Sequence, residues 1–168
     1  MPKFGEEVWK TIPDFPRYMI TSHGRVFNRK TYRELVLSPT ASGELTVGMI
    51  GPGHFQCRRS VKVMVAEAFV KGRTDIFNTP ILIDGDKWNL KDSNICWRPR
   101  WFAWEYSHQF KNIENWYNYG PILDIVNNIE YDSIFEAAIA TASLCKHIFA
   151  SVSSETHVFP GGERYVFI

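Results

Sequence analysis

Two carboxylates, Asp84 and Asp86, flank Gly85 in the segment Pro80-Ile81-Leu82-Ile83-Asp84-Gly85-Asp86-Lys87-Trp88-Asn89. On one tight loop such a pair can hold a divalent cation or, more commonly, accept hydrogen bonds from the amides of its own turn. A second group is basic: Arg29, Lys30 and Arg33, then Arg58, Arg59 and Lys62, then Arg98 and Arg100. Guanidinium and ammonium groups at this density can neutralise phosphates, or can solvate the edge of a sheet. The five histidines, His23, His54, His108, His147 and His157, lack the spacing of a zinc site. Cys57, Cys96 and Cys145 are far apart and form no Cys-x-x-Cys pair, so they read as free thiols in a reducing compartment. No metal site and no cofactor is expected from these residues.

Charge divides the chain. Residues 1–101 hold 16 Lys and Arg against 10 Asp and Glu, whereas residues 102–168 hold 3 against 8. The halves carry +6 and −5, which leaves the net +1 of the whole. Phosphate recognition needs cations, so any contact with nucleic acid is expected in the first half. The second half suits protein better than phosphate.

The elements that must position these groups follow from periodicity. Glu44–Met49 alternates partly as a strand before Gly51-Pro52-Gly53 breaks it, and Phe77–Ile83 reads as a strand running into the Asp84 turn. Val61 to Phe69 is helical, with apolar residues 61, 64, 65, 68 and 69 on one face. Ser133 with Glu136 three residues on is a capping box, which predicts a helix over Ser133–Ala142; a second helix runs from Leu144 or Cys145 to about Ser153. Gly162–Phe167 reads as a closing strand. No apolar run is long enough to cross a membrane, and no leader is recognised. At 168 residues and 45% hydrophobic content the chain can bury a core, divided over two or three small units of an α+β fold.

The Asp84-Gly85 turn, Asn89, and the sequence Ser93-Asn94-Ile95-Cys96-Trp97 together resemble the frame of the phage HNH homing endonuclease family. Trp9-Lys10-x-Ile12-Pro13, followed by Tyr18-Met19-Ile20-Thr21-Ser22-His23-Gly24-Arg25-Val26, is similar to the family's amino-terminal NUMOD-type β module, with Thr21 where the family usually has Ser. Ser60–Phe69 resembles a family helix in which Lys62 and Val63 replace a His-Arg pair. Pro121–Ile168 is similar to the helix-turn-helix repeat that closes such proteins.

The resemblance implies a small amino-terminal β module plus a degenerate HNH ββα unit over 1–104, an extended aromatic connector over 105–120, and a helix-turn-helix-like module with short flanking strands over 121–168. It also implies that the chemistry is gone. The general base falls on Leu82, the adjacent acidic ligand on Ile81 and the second ligand near Ala103, and none of these side chains accepts a proton or binds a metal ion.

The expected function is therefore that of a pseudo-nuclease, a non-catalytic factor that binds phage or host proteins as an adaptor in the cytoplasm of an infected bacterium. Its contact residues would be Trp104, Tyr106 and Trp116 in the connector and His147, Ile148 and Phe149 on the second tail helix. Two alternatives stand beside it. One is a catalytically dead DNA-binding regulator that uses Arg29, Lys30, Arg58, Arg59, Lys62, Arg98 and Arg100. The other is a metal-dependent nicking nuclease with relocated ligands, Asp84, Asp86 and His108. No membrane partner is expected.

Overall fold

A computed structural model describes residues 6–168. The chain forms two compact units, one ending at Arg100 and the other spanning Trp101–Ile168.

In the first unit, β1 (Trp9–Ile12), β2 (Phe15–Thr21) and β3 (Val26–Asn28) make an antiparallel sheet in the order β1-β2-β3. Tyr18 and Ile20 of β2 turn inward on one face, which fixes the register because a slip by one residue would turn both outward, and Phe15 is buried where the strand begins. The register shifts between Thr11 and Ile12, where the strands enter the Pro13-Asp14 turn. A second antiparallel sheet follows: β4 (Ser38–Pro39), β5 (Leu45–Ile50) and β6 (Gln56–Ser60), with β6 at an edge. The Ile50 amide donates to the Tyr18 hydroxyl at 3.0 Å and so ties β5 to β2.

Helix α1 (Val61–Phe69) starts where the sequence places it. Ser60 is its N-cap, accepting from the Val63 amide at 3.4 Å, and the Ser60 hydroxyl donates to Glu44 Oε1 at 2.7 Å. Val61, Met64, Val65 and Ala66 face a core shared with β2, β5 and the antiparallel pair β7 (Thr79–Leu82) and β8 (Ile95–Arg98). The Trp97 indole N–H donates to the Val70 carbonyl at 3.0 Å, so the strand after the Asp84 loop is pinned to the end of α1.

Helix α2 (Arg100–Gln109), which lies in the second unit from its second residue on, is followed by a 3-10 turn over Phe110–Asn112 and the short helix α3 (Glu114–Tyr117). The stretch expected as an extended connector over 105–120 is thus largely helical. Its rings explain this: Phe102 stacks on Tyr106 with centroids 6.0 Å apart, Tyr106 meets Phe110 edge-on at 5.5 Å, and Phe110 meets Phe135 at 5.8 Å. Spacings of four along a helix bring such rings together, whereas an extended chain would leave them in water.

Strands β9 (Ile122–Asp124) and β10 (Ile129–Tyr131) lead to helices α4 (Ile134–Thr141) and α5 (Cys145–Ser154) and the closing strand β11 (Tyr165–Phe167), in the sheet order β10-β9-β11. The capping box forms with a variation: the Glu136 amide donates to Ser133 Oγ at 3.1 Å, while the Glu136 carboxylate accepts from the Asp132 amide at 3.2 Å. Ala142 takes the left-handed conformation that ends α4. Gln109 clamps the turn between the two helices, accepting from the Cys145 amide at 3.0 Å and donating to the Ser143 carbonyl at 3.4 Å.

Candidate functional site

The Asp84 loop is a closed hydrogen-bond network. Asp84 Oδ1 accepts from Asn94 Nδ2 at 2.8 Å and from the Asp86 amide at 2.9 Å, and Oδ2 accepts from Asn89 Nδ2 at 2.7 Å. Asn94 also accepts from the Asp84 amide at 3.1 Å and donates to the Asn89 carbonyl at 2.9 Å. Asp86 Oδ1 accepts from the Trp88 amide at 2.9 Å. These carboxylates hold backbone in shape. Among the described residues no group of three His, Cys, Asp or Glu side chains gathers to hold a metal ion. His108, the third residue of the relocated-ligand alternative, lies in the other unit, where Nδ1 meets the Trp104 carbonyl at 2.7 Å and the ring stacks on Trp104 at 3.9 Å.

Behind this loop stands the turn between β2 and β3. The Asp92 amide donates to the Ser22 carbonyl at 2.8 Å, and Gly24, at φ +82°, lies so close to Leu90 that a Cβ would come within 2.5 Å of the leucine Cβ. Thr21 Oγ1, fully buried, accepts from the His23 and Arg25 amides at 3.2 and 3.0 Å. The amino-terminal module and the HNH-like frame are therefore built against each other within one unit.

The three positions onto which the sequence resemblance carries the base and the ligands are apolar. Ile81 is 4% exposed in β7, and Leu82 beside it is half-buried against the core of the first unit. Ala103 sits half-buried on α2. Hydrocarbon side chains such as these offer a cation no oxygen or imidazole donor.

The basic residues divide in their surroundings. Arg29, Lys30, Arg58, Arg59 and Arg100 are exposed. Lys62 is half-buried and lies 3.5 Å from Glu44 Oε1, and Arg98 is half-buried with Nη1 donating to the Trp97 carbonyl at 2.9 Å. Arg58 and Arg59 line a groove of about 620 Å³ together with Lys10, Asp14, Phe15 and Glu67. Arg59 lies over the Phe15 ring at 5.5 Å, and Lys10 Nζ donates to the Ala68 carbonyl at 2.6 Å. Lys10 was not singled out from the sequence; only its place on β1, beside the Trp9 that marks the module, gives a signal.

In the second unit the expected contact residues are mostly structural. Tyr106 is 1% exposed and Ile148 0%, so neither can anchor a partner. Tyr106 is spent in the ring stack of α2, and Ile148 in the core between α4 and α5. Trp116 and Phe149 pack against that core, with centroids 6.4 Å apart. His147 is half-buried near Trp101 at 6.4 Å, and burial, with Lys146 beside it, pulls its pKa below the ordinary value against the opposing pull of Glu105. Trp104 alone of the six stands clearly in solvent, at 63%. Sequence reasoning erred here because period 3.6 marks which residues share a helix face but not which face is covered.

Comparison with known proteins fits this arrangement. Residues 7–48 match the NUMOD4 motif. A solved structure from work on DNA binding and cleavage by the HNH homing endonuclease I-HmuI aligns with 96% of this chain and 98% of its own, at a TM-score of 0.54 and 20% identity. The fold is that of an HNH homing endonuclease. No curated protein sequence matches the chain. In this HNH-like fold the Asp84-Asn89-Asn94 loop and Trp97 keep the frame closed, and the amino-terminal module that carries Gly24 is the NUMOD4 region. Among the described residues no helix is long and apolar enough to cross a membrane.

Proposed function

We propose that the protein is a pseudo-nuclease that binds duplex DNA through its first unit and does not cleave it. The observation that carries this reading is the pairing of an intact frame, in which Asp84, Asn89 and Asn94 close the loop, with hydrocarbon at Ile81 and Leu82, where the resemblance puts a ligand and a base. A fold used by a DNA-binding endonuclease supports the choice of ligand, as does the +6 balance of residues 1–101 with Arg29, Lys30, Arg58, Arg59 and Arg100 exposed. Restoring a histidine by Leu82→His supplies a base without a held cation, so the variant stays inactive.

Fluorescence anisotropy with labelled duplexes at several salt concentrations tests the reading. Binding should weaken with salt at a log–log slope of about −0.9 for each phosphate neutralised. Arg58→Glu with Arg59→Glu should lower affinity and flatten the slope. Absence of duplex binding at low salt, or divalent-dependent nicking by the native protein, would refute it.

A second reading, capture of a phage or host protein by the second unit in the infected cell, draws on the exposure of Trp104 on an acidic module. It predicts complexes that survive nuclease treatment and high salt.

A further inference from the structure

Trp88 is 67% exposed, more than any other large hydrophobic residue in the HNH-like frame. Its backbone is held from several sides. The Trp88 amide donates to Asp86 Oδ1 at 2.9 Å, and its carbonyl accepts from the Leu90 amide at 3.2 Å. Asp86 is itself bonded through its amide to Asp84, and Asn89 to the other Asp84 oxygen. Immediately after the tryptophan, Leu90 is buried beneath Gly24 and Asp92 is bonded to Ser22. The indole itself meets no ring, cation or acceptor among the described residues.

A flat aromatic side chain on a fixed loop, with little backbone freedom left to lose, is arranged for contact rather than for packing. Its neighbours indicate the partner. Lys87 and Lys91 are exposed on either side, and Lys87 donates to the Ser42 carbonyl. Both Asp84 oxygens and Asp86 Oδ1 are engaged by loop amides. A protein-binding anchor would sit in an apolar patch, whereas the chain neighbours of this one, Asp86, Lys87, Lys91 and Ser93, are polar or charged. Aromatic rings beside cations are the pattern that stacks on nucleobases while the cations hold the backbone.

We propose that Trp88 is a base-stacking residue, whose indole lies against a nucleobase at a kinked or unpaired step of the bound duplex. The proposal rests on the DNA-binding reading above. Stacking is sequence-tolerant, because every base has a π face, and it adds affinity that does not depend on counterion release.

The test is anisotropy with two duplexes of equal length, one fully paired and one with a single unpaired base. The full chain is compared in three forms, native, Trp88→Ala and Trp88→Phe. Trp88→Ala should weaken binding to the unpaired-base duplex by about tenfold, and less to the paired one. The salt slope should stay unchanged, and Trp88→Phe should retain most of the affinity. Thermal melting of both variants should match the native protein, since the indole supports nothing. If native protein binds both duplexes and Trp88→Ala binds them equally well, or loses the same factor on each, the stacking role is overturned and the DNA reading stands. If native protein binds neither duplex, both fall.

Discussion

Gly24 and Asp84 decide whether the HNH-like frame holds together. At φ +82° an L-residue is strained, and a Cβ at Gly24 would overlap Leu90 at 2.5 Å, a contact with the base of a side chain that cannot swing away. Gly24→Ala should therefore cost about 2 kcal/mol or more in denaturant unfolding. Asp84 accepts three hydrogen bonds, from Asn89, Asn94 and the Asp86 amide, so Asp84→Ala should cost about 2 kcal/mol. That loss should be the same with and without magnesium, because it comes from the loop network; metal-dependent stabilisation of the native protein alone would revive Asp84 as a ligand. Cys145 is a different kind of residue: burial pushes its thiol up to about 12, so it should resist alkylation in the folded state while half-buried Cys57 reacts.

At the scale of elements, the helix-turn-helix of the second unit depends on its capping and on a histidine half-buried on its second helix. Ser133 caps α4 through the Glu136 amide, and Ser133→Ala should lose about 1 kcal/mol. His147 on α5 has a pKa lowered from its ordinary 6.5, chiefly by burial. The unfolded chain thus binds the proton more readily than the folded one. Stability from this group is full above pH 6.5 and is lost as pH falls below that value. Replacing His147 with Gln should flatten the fall in melting temperature below pH 6.5; an unchanged pH profile would show that the imidazole is not the group responsible.

Across the whole molecule, the division of charge coincides with the division into units. Arg100 closes the basic unit and Trp101 opens the acidic one, which contains only Lys111, Lys146 and Arg164 as fixed cations. Two of those three are engaged within the unit, Lys146 with Glu105 and Arg164 with Glu155, the latter at 2.7 Å. DNA affinity should accordingly respond to charge changes at Arg58 and Arg59 and hardly at all to Lys111→Glu, measured by anisotropy at one salt concentration. Much of this was written in the sequence. Helix α1, the Ser133 capping box, the α4-turn-α5 pair and the Asp84-Gly85 turn all follow from short-range spacing, because each is fixed by neighbours within a few positions. What lay beyond it was which face of each element is covered. Tyr106 and Ile148 vanish into cores, the aromatic connector winds into helix, and Gly24 closes over Leu90 more than sixty positions away. Those outcomes depend on long-range packing between segments, and only the tertiary structure brings such segments together.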